Sequence, residues 1–238
     1  MAVRSVQRGE EAAASLRKRY PKVKIDVWQL DMDSYESIRT FAARCTALPR
    51  LDIAILNAGI FNLAFEANPT TGHEANFQVN YMSTALLALL LLPKLKTADS
   101  DGTPGRLTLV ASGASLIAEF SERNEVPLLA AFDKQDGWDS SAAKRRYDTS
   151  KGLVLMLTLI LSKIVKAEDV VVNVVDPTFT PGTDFFRNLP LTARFLLYPL
   201  VTLIGTSVNS AAWRYVDAAV ARGPETHGSF LSDWVINP

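Results

Sequence analysis

Val170–Val175, a β-branched run interrupted only by Asn173, most narrows what this chain can become. β-branched side chains favour extended backbone, and a run without polar alternation leaves no face for water. It predicts a strand covered on both faces, ending at Asp176-Pro177. Other short apolar runs repeat the pattern: Val23–Leu30 ending at Asp31, Leu51–Leu56 before the turn Asn57-Ala58-Gly59, and Arg106–Ala111 before Ser112-Gly113. Helical stretches stand between them. Residues 9–19 are rich in helix formers, Asp33-Ser34 is an N-cap signal for a helix through about Ala47, and 73–92 is a helix apolar all round. A helix at 207–222 and a strand at Ser229–Val235 close the chain. Residues 98–105 and 178–193 read as loops, the second a mobile one, and 119–146 as a long polar segment. Strands alternating with helices imply βαβ units, a doubly wound parallel sheet and three α/β/α layers. No repeat or linker divides the 238 residues, so one domain over 1–238 is expected.

Composition excludes several classes of partner. The 25 basic and 25 acidic residues balance, which offers nothing to nucleic acid or an anionic membrane. The single cysteine, Cys45, cannot form an internal disulfide and fits a reducing, cytoplasmic setting. Two histidines, His73 and His227, do not make a metal cluster, so no metal is expected. The apolar stretches Ala85–Leu92 and Phe195–Ile204 are each shorter than the roughly 20 residues of a spanning helix, and membrane association is not expected. The N-terminus has no apolar core of signal-peptide length.

The chemistry gathers at Tyr147 and Lys151, which open a long apolar helix. Four residues apart, they share one helix face, and an ammonium beside a phenol lowers the cost of phenolate. Alone the pair is a common coincidence. In a parallel sheet, however, ligands sit at the carboxyl ends of strands, where Asp31, Asn57, Ser112 and Asp176 all stand. Asn80, on the apolar helix, is the remaining candidate; a satisfied core amide is the alternative for it.

This order resembles the short-chain dehydrogenase/reductase family over essentially the whole chain. Asn57-Ala58-Gly59 is similar to its Asn-Ala-Gly motif, and Asn80, Ser112, Tyr147 and Lys151 to its catalytic tetrad. Asp31 matches the acidic residue at the adenine ring, and Pro177 the proline after the sixth strand. The 112-to-147 spacing and the ending Gly228-Ser-Phe-Leu-Ser-Asp resemble the retinol-dehydrogenase-like and fungal secondary-metabolism branches. The resemblance implies a Rossmann-like fold and a nicotinamide cofactor. Tyr147 would exchange a proton with the substrate oxygen, Lys151 would depress the tyrosine pKa and hold the nicotinamide ribose, and Ser112 would bind the carbonyl. Asn80 would hold a water linking Lys151 to solvent. Thr180 joins Asn57, Ala58, Gly59 and Pro177 as a cofactor contact. Arg4, at the end of the family's second strand, favours NADP over NAD because a guanidinium suits a 2′-phosphate.

Two departures bear on this. The family's first strand, glycine-rich turn and first helix have no counterpart here, so an N-terminally truncated fold with unpaired strand edges is expected. Thr178 stands where the family has glycine. Three readings follow: an NADP-dependent ketone/alcohol oxidoreductase, a relative kept for binding or scaffolding, and a non-redox dehydratase, isomerase or cyclase. The intact tetrad favours the first, acting on a hydrophobic small molecule such as a polyketide or terpenoid intermediate. Phe179, Phe185, Phe186, Leu189 and Phe195–Leu197 would form an apolar lid. A homodimer through the 73–92 and 147–165 helices is the family-based expectation.

Overall fold

The computed structural model describes residues 1–96, 102–183 and 205–237. Its centre is strand β5 (Val170–Asp176), all seven residues of which are buried. Asn173, the one polar residue inside it, is satisfied: Thr108 Oγ1 donates to its Oδ1 at 2.8 Å, and its Nδ2 donates to the Ala218 carbonyl at 2.9 Å. β5 pairs in parallel with β4 (Gly105–Val110), and β4 with β3 (Ile53–Leu56). On its other side β5 pairs with β6 (Phe230–Ser232), against which β7 (Val235–Asn237) runs antiparallel. The expected single strand at 229–235 is therefore a hairpin. Asp233 and Trp234 take positive φ of 49° and 68°, the primed-turn geometry that reverses two twisted strands. Neither residue type signals such a turn.

β1 (Ala2–Val3) and β2 (Trp28–Gln29) form a separate two-stranded parallel sheet. The expected strand over 23–30 is cut to two residues because its partner offers only two. No described strand joins the two sheets. Beneath both runs one apolar core. Leu30 and Met32 beyond β2, Ala54 and Leu56 of β3, and Leu107 and Leu109 of β4 belong to the same buried cluster. On the opposite face of β3, Ile53 and Ile55 are 39% and 41% exposed. That strand is covered on one face and open on the other.

Three helices cover the buried face. The first, Tyr35–Thr46, is N-capped by Ser34, whose Oγ accepts the Ser37 N–H at 3.2 Å. The second spans Ala75–Leu95, longer than expected, with a π-helical turn at Gln78–Ser83. At 21 residues it is long and apolar enough to cross a membrane, which corrects the shorter stretch read from sequence. Two thirds of its most apolar window is buried inside the protein, as in a core helix. The third, Ser140–Ile164, follows the Asp139 cap and begins seven residues before Tyr147, so the polar segment ends earlier than expected. Arg146 anchors that segment: its guanidinium donates to the Phe132 carbonyl and pairs with Glu122. Two further helices are Val6–Arg19 and Val208–Val216, the latter continuing as a π turn over Asp217–Ala221. Most of the 178–193 loop, the 195–204 stretch and every lid residue except Phe179 lie outside the described residues.

Candidate active site

The carboxyl ends of β3, β4 and β5 meet the 75–95 and 140–164 helices at one place. Lys151, 4% exposed, reaches back along its helix so that Nζ donates to the Val110 carbonyl at 3.0 Å. The same Nζ is 6.0 Å from the Tyr147 ring centroid. Tyr147 is hydrogen-bonded to the Ser112 side chain. Ser112 begins the short helical turn after β4 and caps it, accepting the Ala114 N–H at 3.3 Å.

Asn80 closes the arrangement from the facing helix. Its Oδ1 accepts the Ile60 N–H at 2.8 Å, and its Nδ2 donates to the Ile60 carbonyl at 3.0 Å and to Ser150 Oγ at 3.1 Å. Both ends of the amide are thus used by protein groups, the arrangement of a satisfied core amide. The Asn57-Ala58-Gly59 turn lies alongside. A Cβ at Gly59 would stand 3.2 Å from Lys151 Nζ and 3.3 Å from Asn80 Oδ1, so a larger residue there would press on both groups. The four tetrad positions and this turn converge.

Arg4 and Asp31 stand apart from them, on the two-stranded sheet. Arg4 Nη1 lies 3.8 Å from Asp33 Oδ2, and Asp31 Oδ1 accepts the Asp33 N–H at 3.1 Å. Burial, and then the charge of Asp31, push the Asp33 carboxyl above its usual range, with Arg4 working against them. The 75–95 helix fixes this corner: Ser83 Oγ donates to the Met32 carbonyl at 2.5 Å and Gln78 Nε2 to that of Asp33 at 2.8 Å. One helix therefore positions both Asp31 and Asn80.

Pro177 and Thr178 leave β5 on the other side of the site. Thr178 holds φ of 62°, left-handed backbone that explains why glycine is the ordinary choice there. Its hydrogen bonds hold it in place. Its N–H donates to Asp176 Oδ1 and its Oγ1 accepts from Arg214, both at 2.8 Å. Thr180 Oγ1 turns back to the Thr178 carbonyl at 3.2 Å.

The electrostatics correct one expectation. Burial pushes the Tyr147 phenol well above the usual tyrosine range, outweighing the opposing Ser112 hydrogen bond; no depression by Lys151 emerges. Lys151 is itself pushed down to about 8 by burial, with Asp176 opposing. Two aromatic neighbours carried no signal in the sequence. Phe61 packs on Tyr147 with ring centroids 5.1 Å apart, and Tyr215 donates its hydroxyl to Asn57 Oδ1 at 2.9 Å. Tyr215 sits on an ordinary amphipathic helix, and only the fold brings it to Asn57.

Comparison with known proteins agrees with this layout. Residues 1–122 match the family model of the short chain dehydrogenases. The short chain dehydrogenase/reductase mfmJ of Annulohypoxylon moriforme is 47% identical over 239 residues, covering all of this chain and 69% of that protein. The short chain dehydrogenase virL of Hypocrea virens is 40% identical over 238 residues, with the same coverage. The chain belongs to the short-chain dehydrogenase/reductase family, and so to a family of oxidoreductase enzymes. Among solved structures, NADPH-bound carbonyl reductase from chicken fatty liver superposes with a TM-score of 0.64 at 20% identity, covering 97% of this chain and 83% of that one. A short-chain type dehydrogenase/reductase from Mycobacterium marinum gives 0.65 at 19% identity, with 97% and 82% covered. At these identities the structures establish the shared Rossmann-type fold.

Proposed function

We propose that this chain interconverts a ketone and a secondary alcohol on a hydrophobic small molecule, with NADP as hydride carrier. The observation that carries the reading is the convergence of Tyr147, Lys151, Ser112 and Asn80 beside Gly59. A core has no physical need for a buried ammonium next to a phenol. The fungal relatives suggest a substrate from secondary metabolism, such as a polyketide or terpenoid intermediate.

The groups at the carboxyl ends of β2 to β5 fit the nicotinamide and adenosine ends of a dinucleotide. Lys151 and the Asn57–Gly59 backbone would hold the nicotinamide ribose, Asp31 the adenine, and Arg4 the 2′-phosphate. Pro177 and Thr180 would border the nicotinamide. Bound there, the cofactor supplies or removes hydride. Tyr147 donates its phenolic proton to the substrate oxygen in reduction and recovers it in oxidation. Its raised pKa keeps it a donor at neutral pH. Ser112 donates to the same oxygen as charge develops there. Phe61, tilted against the Tyr147 ring, gives that side of the phenol an apolar border.

Residues 1–238 act as one domain in this reading, and a homodimer is part of it. Met156, Leu159, Ile160 and Ile164 are exposed on the 140–164 helix, and Leu89 on the 75–95 helix. Apolar side chains presented on two packed helices fit a second copy.

A second reading, a non-redox enzyme or binding protein, is favoured by one observation. The polar atoms of Asn80 and Lys151 are engaged by protein groups, Asn80 by Ile60 and Ser150 and Lys151 by the Val110 carbonyl, as in a site kept for its structure. NADPH titration followed by nicotinamide fluorescence, then a ketone screen, separates the two. Saturable binding with ketone-dependent oxidation is expected. A folded chain that does not bind NADPH would leave the second.

A further inference from the structure

The site holds a carboxylate that the proposed reaction leaves unused. Asp176 is the last residue of β5 and is 4% exposed. The register sets Val175 against Val110, so Asp176 lies beside Ala111 and Ser112, at the level where Lys151 Nζ meets the Val110 carbonyl. A Cβ at Gly113 would stand 3.3 Å from Asp176 Oδ2, so the carboxylate faces the turn that carries Ser112. Its hydrogen bonds come from neutral donors: the Thr178 N–H to Oδ1 at 2.8 Å, and Ser232 Oγ to Oδ2 at 3.3 Å.

The groups facing it come from three elements. The 140–164 helix contributes Tyr147 and Lys151, the 208–216 helix and its continuation contribute Arg214, Tyr215 and Asp217, and the β6–β7 turn contributes Asp233. Arg214 pairs with Asp233 at 2.8 Å, and Asp217 with Arg222 at 2.9 Å. Those two carboxylates have guanidinium partners, whereas Lys151 is an enclosed cation held by a carbonyl. An ammonium enclosed in protein sheds its proton unless a negative charge stands near it.

We propose that Asp176 is a positioning residue of this site, the fixed counter-charge that keeps Lys151 an ammonium and so keeps it aimed at Gly59 and Tyr147. This rests on the reading of Tyr147 and Lys151 as proton donor and partner. The same carboxylate disfavours phenolate, which holds Tyr147 protonated for reduction. Removing the charge lowers both midpoints, Lys151 because its ammonium loses support, Tyr147 because its phenolate loses an opponent.

Asp176→Asn tests this, since the amide oxygen still accepts the Thr178 N–H. The readout is the Lys151 titration by NMR of protein labelled with ¹³C-lysine, the resonance assigned by its loss in Lys151→Met. The midpoint is expected to fall by about one pH unit or more, while Ser232→Ala leaves it in place. An unchanged midpoint in Asp176→Asn overturns the proposal. With NADPH and a ketone, the alkaline limb of reduction moves to lower pH at unchanged KM. Tyr147→Phe run alongside separates the two claims: retained turnover there sinks the proton-donor reading, and the Lys151 titration still decides Asp176. Should Asp176→Asn alone not fold, the double variant with Lys151→Met carries neither charge and is expected to fold. Failure of both would assign Asp176 a purely structural role.

Discussion

Asn80 Nδ2 donates to Ser150 Oγ across 3.1 Å, and Ser150 Oγ donates in turn to the Tyr147 carbonyl at 2.7 Å. This chain of two bonds ties the 75–95 helix to the turn of the 140–164 helix that carries the phenol. Asn80 also holds both backbone groups of Ile60, next to Gly59. Asn80→Ala takes the side-chain partner from those half-buried groups and is expected to cost about 1–3 kcal/mol. Urea denaturation measures that loss. Turnover should fall as well, because the Gly59 backbone is no longer fixed beside Lys151. A variant as stable as the parent would show that Asn80 does not hold this turn.

Tyr147→Phe removes one oxygen and keeps the ring against Phe61. Turnover is expected to drop about 10²–10⁴-fold, the usual worth of a positioned proton donor. NADPH affinity, measured by nicotinamide fluorescence, should barely change. Because burial raises the phenol pKa, ketone reduction should not decline through Tyr147 until pH exceeds the ordinary tyrosine value of about 10. An alkaline limb near pH 7 that vanishes in this variant would contradict that ordering.

Lys151 gives a stability prediction with a definite sign. Its pKa is lowered from 10.5 in the unfolded chain to about 8 in the fold. Between those values the unfolded state binds more protons, so stability rises with pH across that window. Below about 8 the fold carries the full cost of an enclosed ammonium. The parent protein should gain about 3 kcal/mol relative to Lys151→Met between pH 8 and 10.5. Denaturant titrations of both proteins at the two pH values measure the difference. Parallel curves would mean that Lys151 is solvated in the folded state.

Much of the fold was legible because single residues carried local physics. Val170–Val175 could satisfy only a doubly covered strand, and Ser34 could cap only the helix after it. The tetrad was legible through Tyr147 and Lys151, whose spacing is one helical turn. What stayed hidden depends on partners distant in sequence. Val23–Val27 has strand-forming residues, yet β1 is too short to pair with them. Asp233-Trp234 makes a turn that neither residue type advertises. Tyr215 meets Asn57 only after the chain folds back across a separation of 158 residues. Burial also decided the sign of the Tyr147 shift, which spacing alone read the other way.

The exposed row Met156, Leu159, Ile160 and Ile164 carries the last prediction. These residues recur at helical spacing on the side of the 140–164 helix away from the buried Val154, Thr158 and Leu161. Covering them with a second copy around a two-fold axis would remove apolar area from water on both chains at once. Ile160→Glu places a charge in the middle of that row, where two copies would bring like charges together. The parent is expected to run as a dimer in light scattering coupled to gel filtration, and the variant as a monomer with the same far-ultraviolet circular dichroism. Because Tyr147 and Lys151 ride on the same helix, the monomer should also lose thermal stability and turnover. A parent that is already monomeric would refute the interface, and a dimer that survives Ile160→Glu would move it to another face.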